Sequence, residues 1–230
     1  MTTKRQIRKL LGPLLANHPE LIAMDPTFRG IDVVVAPVRH LVRGFSIAGS
    51  GFADFAQQSW FMGYTFRARA PLVTLGDGRI YAEKPEEARW SHPRRQDAFI
   101  EIVENDVLPL LTRIDTIEKY ILFEPYLSPK WTGNLTDPMT RVHVYAALGC
   151  FDRVAEAALL LRTAGYRKTY WWSEKTNVEV MEQLLPLTEA NDHTGVAALL
   201  HDWERRFVEA HGLQAIYEKT PFPFELSSGA

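Results

Sequence analysis

Hydrophobic and polar positions change period twice along the chain. Ile7, Leu10, Leu11, Leu14 and Leu15 recur at helical spacing, so the first segment reads as a helix with one core-facing stripe and a basic outer face of Lys4, Arg5, Arg8 and Lys9. The Gly12-Pro13 pair predicts a kink, because an interior proline lacks its N–H and crowds the carbonyl four residues back. A basic, acid-free start is also the composition cue of a targeting presequence, but the regular apolar stripe favours a packed helix.

From Ile31 to about Glu83 the period becomes two. Ile31 to Ala36 is a compact β-branched run; Val38, His40, Val42 and Gly44 alternate with Arg39, Leu41, Arg43 and Phe45; Trp60, Met62, Tyr64 and Phe66 alternate with Phe61, Gly63 and Thr65. Gly76-Asp77-Gly78 between Leu72–Leu75 and Arg79–Ala82 signals a hairpin, since these residues tolerate positive φ. No helical pattern separates consecutive strands, which predicts an antiparallel sheet.

After Trp90 the period returns to 3.6. Ser91-His92-Pro93 predicts a helix start, and Phe99, Ile102, Val103, Val107, Leu110 and Leu111 form its inner face, with Pro109 near the end. A further helix covers Asp115 to Phe123. The proline- and glycine-rich run Pro125 to Leu135 reads as a boundary between lobes. Beyond it, Asp137-Pro138 opens a helix closing at Gly149; Asp152 caps a second ending at Gly165; Thr176 with Glu179 forms a capping box for a third; and Val196, Leu199, Leu200, Trp203 and Phe207 mark the last long one. The hairpin from Arg141 to Gly165 has the form of one tetratricopeptide-type unit, but no second copy follows about 34 residues away, so it reads as an ordinary helix pair. The predicted fold is α+β: residues 1–124 form a helix, an antiparallel sheet and two helices, residues 137–212 form a helical lobe packed on them as one folded unit, and residues 213–230 form an extended tail.

Composition narrows the function classes. A hydrophobic fraction of 46% against 23% charged supports a packed core in a chain of 230 residues. The one cysteine, Cys150, excludes an internal disulfide and a multi-thiolate zinc site, and fits a reducing cytoplasm. No apolar run approaches the roughly 20 residues that span a bilayer. The net charge of -2 is a cancellation: residues 1–100 carry 14 basic against 9 acidic side chains, residues 101–230 carry 12 against 19.

Candidate chemistry is sparse. No two of the seven histidines stand three or four apart on one predicted helix, as a chelating pair would, so no metal or cofactor is expected. Gly49-Ser50-Gly51 lacks the spacing of a nucleophile elbow, Gly76-Asp77-Gly78 is too short for a phosphate loop, and Cys150 near His143 reads as a packed thiol. The acid pairs Glu86-Glu87 and Glu101 with Glu104 read as solvated helix faces. No catalytic residue is assigned.

Arginine and aromatics make the more informative pattern. Arg39 and Arg43 share a strand face, and Arg89, Arg94 and Arg95 cluster about Trp90 and His92 at a helix start, where the dipole favours anions over cations. Trp131 and the run Tyr170-Trp171-Trp172 add large aromatics that cannot all face one core. Arg39, Arg43, Trp90, His92, Arg94, Arg95, Trp131, Tyr170, Trp171 and Trp172 are therefore the candidate binding residues. A pI near 6.4 weighs against nucleic acid. The expected partner is another protein, an acidic one by charge complementarity. The alternative is an enzyme or binding protein for an anionic small molecule or nucleotide, held in a cleft by Arg39, Arg43, His92 and Arg95.

The leading Leu10-Leu11-Gly12-Pro13-Leu14-Leu15 helix, the strand with Phe61-Met62-Gly63-Tyr64-Thr65-Phe66 and the helix with Asp106-Val107-Leu108-Pro109-Leu110-Leu111 together resemble a family of small bacterial domains of unknown function over residues 5–122. The resemblance implies a bacterial source and a helix, antiparallel sheet and helices, and supplies no catalytic residues. With the charge pattern it leads to the expectation of a cytoplasmic immunity- or inhibitor-type protein.

Overall fold

A computed structural model of the chain describes residues 2–25, 30–50, 54–67, 78–80, 85–123, 138–163 and 178–227. The first helix, α1 (Lys4–Asn17), starts from a capping box in which Thr3 accepts from the Gln6 N–H while the Gln6 side chain accepts from the Thr3 N–H. It buries Ile7, Leu10, Leu11 and Leu14 as the spacing predicts. The helix runs on through Pro13. The amide of Gln96 donates to the Lys9 carbonyl at 2.9 Å, filling the bond that proline cannot make four residues on.

Five strands follow in sequence order across one sheet: β1 (Leu21–Met24), β2 (Gly30–Val35), β3 (Leu41–Gly49), β4 (Ala56–Tyr64) and the two-residue β5 (Gly78–Arg79). Pairing is antiparallel in β1–β2, β2–β3 and β4–β5, with Val33 opposite Phe45 and Ser59 opposite Arg79. Strand β2 is buried on both faces. Gly44 is required where it stands, since a Cβ there would lie 2.1 Å from the Val33 carbonyl oxygen and 2.7 Å from the Phe61 ring.

Helix α2 (Arg95–Ile102) continues through a wide turn (Val103–Val107) into α3 (Leu108–Arg113), and Phe99 meets Phe45 of the sheet edge-on at 6.1 Å. The wide turn ends on a Leu108 N–H to Val103 carbonyl bond, one residue longer than the α-helical reach, immediately before Pro109. The same device recurs at Val180–Leu184, where Leu185 bonds Val180 before Pro186. In both helices a looser turn lets the backbone pass a residue with no N–H to give.

The chain divides into two compact units, Met1–Gly63 with Leu72–Asp115, and Tyr64–Pro71 with Thr116–Ala230. The second contains α4 (Ile117–Phe123), the antiparallel-patterned pair α5 (Pro138–Ala147) and α6 (Phe151–Thr163), the short α7 (Leu185–Glu189), the long α8 (His193–Ala210) and the terminal α9 (Pro223–Ser227). Its core gathers Tyr64, Phe66, Tyr120, Val142, Leu200, Trp203, Phe207 and Phe222. Helix α6 begins at Phe151, one residue ahead of the Asp152 cap expected from the sequence; the Cys150 carbonyl accepts its first bonds. The residues after 212 are not simply extended, because Gln214–Ile216 and Pro223–Ser227 are helical turns. The Gly76-Asp77-Gly78 hairpin turn, the Pro125–Leu135 boundary, the Asp137 and Thr176 caps and Gly165 fall on or reach into residues outside those described. The described part is thus α+β, with an N-terminal helix, an antiparallel sheet and a helical C-terminal region. Among the described residues no helix is long and apolar enough to cross a membrane.

Candidate anion-recognition site at the start of helix α2

The turn before α2 is stapled to the strand side of its own unit. Phe55 and Arg89 form an isolated bridge, the Trp90 N–H donates to the Asp54 carbonyl, and Ser91 donates to the Asp54 carboxylate through both its hydroxyl (2.6 Å) and its N–H (3.2 Å). Trp90 Nε1 donates to the Thr2 hydroxyl at 2.9 Å, which fixes the plane of the indole. The turn therefore holds one shape, and its arginines project from a fixed base.

Each arginine has a different use. The Arg89 guanidinium lies over the Phe55 ring at 5.6 Å. Arg94, exposed, reaches Glu101 at 3.1 Å and Glu87 at 3.6 Å. Arg95 is 5% exposed, with its guanidinium 5.2 Å from the Trp90 ring centre and 5.5 Å from that of Phe99. Its Nε and Nη2 have no hydrogen-bond partner among the described residues, and burial pulls its pKa down to about 10. A desolvated cation thus stands between two aromatic faces with donors to spare. It occupies the first turn of a helix whose N-cap, Arg94, makes no side-chain capping bond. Both the dipole and the cation favour an anion there.

The remaining candidates are placed as follows. His92 is half-buried, and its Nδ1 accepts from the Arg94 N–H at 3.3 Å. Arg43 lies on β3, buried, where Nη1 donates to the Leu111 carbonyl at 2.9 Å and Nη2 to that of Pro37 at 3.3 Å. Leu111 belongs to the last turn of α3, so the cation sits at the negative end of that helix. Burial lowers the proton affinity of Arg43, and the Asp115 charge works the other way. Arg39 is exposed and stands before β3 rather than on it, so it does not extend the strand face of Arg43. Trp90, Arg94 and Arg95 are brought together; Trp131, Tyr170, Trp171 and Trp172 lie outside the described residues.

A second polar cluster, in the other unit, involves a histidine that forms no chelating pair with another histidine. Glu204 of α8 is fully buried and accepts from Thr65 Oγ1 (2.8 Å), Tyr217 OH (3.1 Å) and His201 Nδ1 (3.1 Å). His201 Nε2 faces Glu225 of α9, also at 3.1 Å. Burial, reinforced by the Glu204 charge, drives the Tyr217 phenol well above its ordinary 10, keeping it a neutral donor. The sequence did carry a signal: Glu204 lies four residues after Leu200 and three before Phe207, on the apolar stripe, one turn from His201. The two ring nitrogens of His201 serve different carboxylates on opposite edges. Among the described residues no group of three His, Cys, Asp or Glu side chains is arranged to hold a metal ion.

No family model, no curated protein and no solved structure matches the chain.

Proposed function

We propose that this protein is a binding module that recognises an acidic protein partner through the Arg89–Arg95 turn, in the manner of an immunity or inhibitor protein of a bacterial cytoplasm. The observation that carries the reading is Arg95: a buried guanidinium held between Trp90 and Phe99, which among the described residues has no counter-ion and leaves two donors unfilled. Nε and Nη2 are closed to solvent in the free protein, so the turn has to open locally for a carboxylate of the partner to complete the donor set, a charge-assisted bond contributing about 1.5–3 kcal/mol against the cost of that opening. Arg94 and Trp90 flank it with the residue types from which binding hot spots are built. Cys150, expected from the sequence to be packed, is instead an exposed free thiol in the turn before α6, which accords with a reducing compartment.

The runner-up, a small anion held in a cleft, has less support because Arg43, one of its four ligands, gives Nη1 and Nη2 to backbone carbonyls. Titration with poly-L-glutamate, read by tryptophan fluorescence and calorimetry, tests the proposal. Binding that weakens with salt and is lost in Arg94→Glu/Arg95→Met supports it, whereas equal binding by the double variant or by poly-L-lysine overturns it. A nucleotide that binds when poly-L-glutamate does not would favour the runner-up.

A further inference from the structure

After α8 the chain turns at Gly212 (φ +67) and runs back along the helix it has just left. Tyr217 meets Glu204, Phe222 lies tilted against His201 with ring centres 4.7 Å apart, and Phe224 lies 5.7 Å from His193, so later residues touch earlier turns. Phe222 is fully buried and meets Phe66 edge-on at 5.3 Å. This strap, Leu213–Ser227, is tied to α8 at its root by the Leu213 N–H to the Val208 carbonyl, and further along by the Tyr217 hydroxyl and the Glu225 carboxylate.

We propose that the strap is a proton-operated latch, closed while His201 bridges Glu204 and Glu225 and opened at its Glu225 arm when that bridge loses its proton. The argument is one of donor counting. An ionised carboxylate only accepts, and a neutral imidazole has a single N–H. Two carboxylates at the two ring nitrogens are both served only when each nitrogen carries a proton. Once one proton leaves, a ring lone pair faces a carboxylate oxygen at 3.1 Å.

Which arm yields follows from burial. Glu204 is 0% exposed and holds Thr65 and Tyr217 as well, so it has no route to water and keeps the remaining N–H. Glu225 is 29% exposed and turns to solvent at little cost. Its Oε2 also accepts the Phe222 N–H at 2.7 Å, the bond that starts α9, so its departure loosens the helix start as well as the bridge. Among the described residues, the titratable and charged groups facing His201 are Glu204 from α8 itself and Glu225 from α9, with Tyr217 and Thr65 reaching it through Glu204. Asp202, Arg205, Arg206 and Glu209 pair with one another on the same helix.

Lys219 is exposed in the middle of the strap and gives a direct readout, because trypsin cuts after it only when the segment leaves its bed. The cutting rate of the full chain is measured against an unstructured peptide of the same local sequence between about pH 5.5 and 8.5, where histidine titrates. The wild-type ratio should rise about tenfold or more across that range, as local opening is promoted. His201→Gln, able to donate to one carboxylate only, should be cut fast at every pH. Glu225→Ala, which removes the Nε2 arm of the bridge and the acceptor of the Phe222 N–H together, should be cut fast at every pH. A flat wild-type ratio, or wild-type pH dependence surviving in Glu225→Ala, overturns the latch. Loss of the dependence in His18→Gln would overturn it too, by tracing the effect to the other histidine bridge; circular dichroism of each variant verifies the fold.

Discussion

Replacing Arg95 by methionine separates a residue kept for binding from one kept for stability. Burial pulls the guanidinium pKa from its ordinary value down to about 10. At about 1.4 kcal/mol per factor of ten in proton affinity, holding the charge there costs about 3 kcal/mol. The two ring contacts, at 5.2 and 5.5 Å, return about 1–2 kcal/mol each in a desolvated setting. The charge is therefore close to break-even in the folded protein. Methionine keeps an unbranched stem against Trp90 and Phe99, adds a sulfur–aromatic contact of about 0.3–1.5 kcal/mol and carries no charge to desolvate. Arg95→Met should then unfold within about 1 kcal/mol of the wild type, on either side, whereas Arg95→Ala should lose about 2–4 kcal/mol with the stem. Urea unfolding followed by tryptophan fluorescence measures both. Poly-L-glutamate affinity should fall about tenfold or more in Arg95→Met, in proportion to one charge-assisted hydrogen bond. A loss of more than about 3 kcal/mol in Arg95→Met would refute the reasoning, since it would mean that the guanidinium is bound to partners within the fold.

Two further outcomes rest on other parts of the chain. Burial pulls the His18 imidazole down, but its hydrogen bonds to Glu104 and Glu20 and their charges together outweigh this and hold it above its ordinary 6.5. Because the folded value lies above the unfolded one, the contribution is complete below 6.5 and fades as pH rises through the folded value. The stability difference between wild type and His18→Gln should accordingly shrink with rising pH in denaturant melts, and a difference that grows would sink the assignment. Gly149 stands at φ +73 with Phe224 Cβ 2.6 Å from where its own Cβ would be, while Gly12 has nothing within 4 Å inside α1. Gly149→Ala should cost about 1–3 kcal/mol and Gly12→Ala should stabilise by about 0.5–1 kcal/mol; calorimetric melting that ranks them the other way would contradict the backbone described.

The long helices and the strands from Ile31 on were legible in the sequence, because periodicity is a local property: Ile7, Leu10, Leu11 and Leu14 form one stripe whatever they pack against, and all four are buried. The four-residue strand Leu21–Met24 and the short helical turns after Gly212 are too brief to show a period, and only the structure revealed them. Short links between the first strands made the sheet antiparallel for the same local reason. The sequence also marked the turn around Trp90 as unusual, through arginine at a helix start. What it left open is what waits across each buried face. Arg43 reads from the sequence as a basic surface residue, yet a helix end 68 residues away supplies its acceptor. Glu204 reads as one more acid on a helix, yet Thr65, 139 residues earlier, and Tyr217 make it the centre of a buried network. Among the arginines around Trp90, only the tertiary structure separates Arg94, paired to Glu87 and Glu101, from Arg95, desolvated between two rings. Charge in a sequence is a count, whereas its effect depends on burial and on the partner that distant chain brings within 3 Å, and those belong to the folded structure.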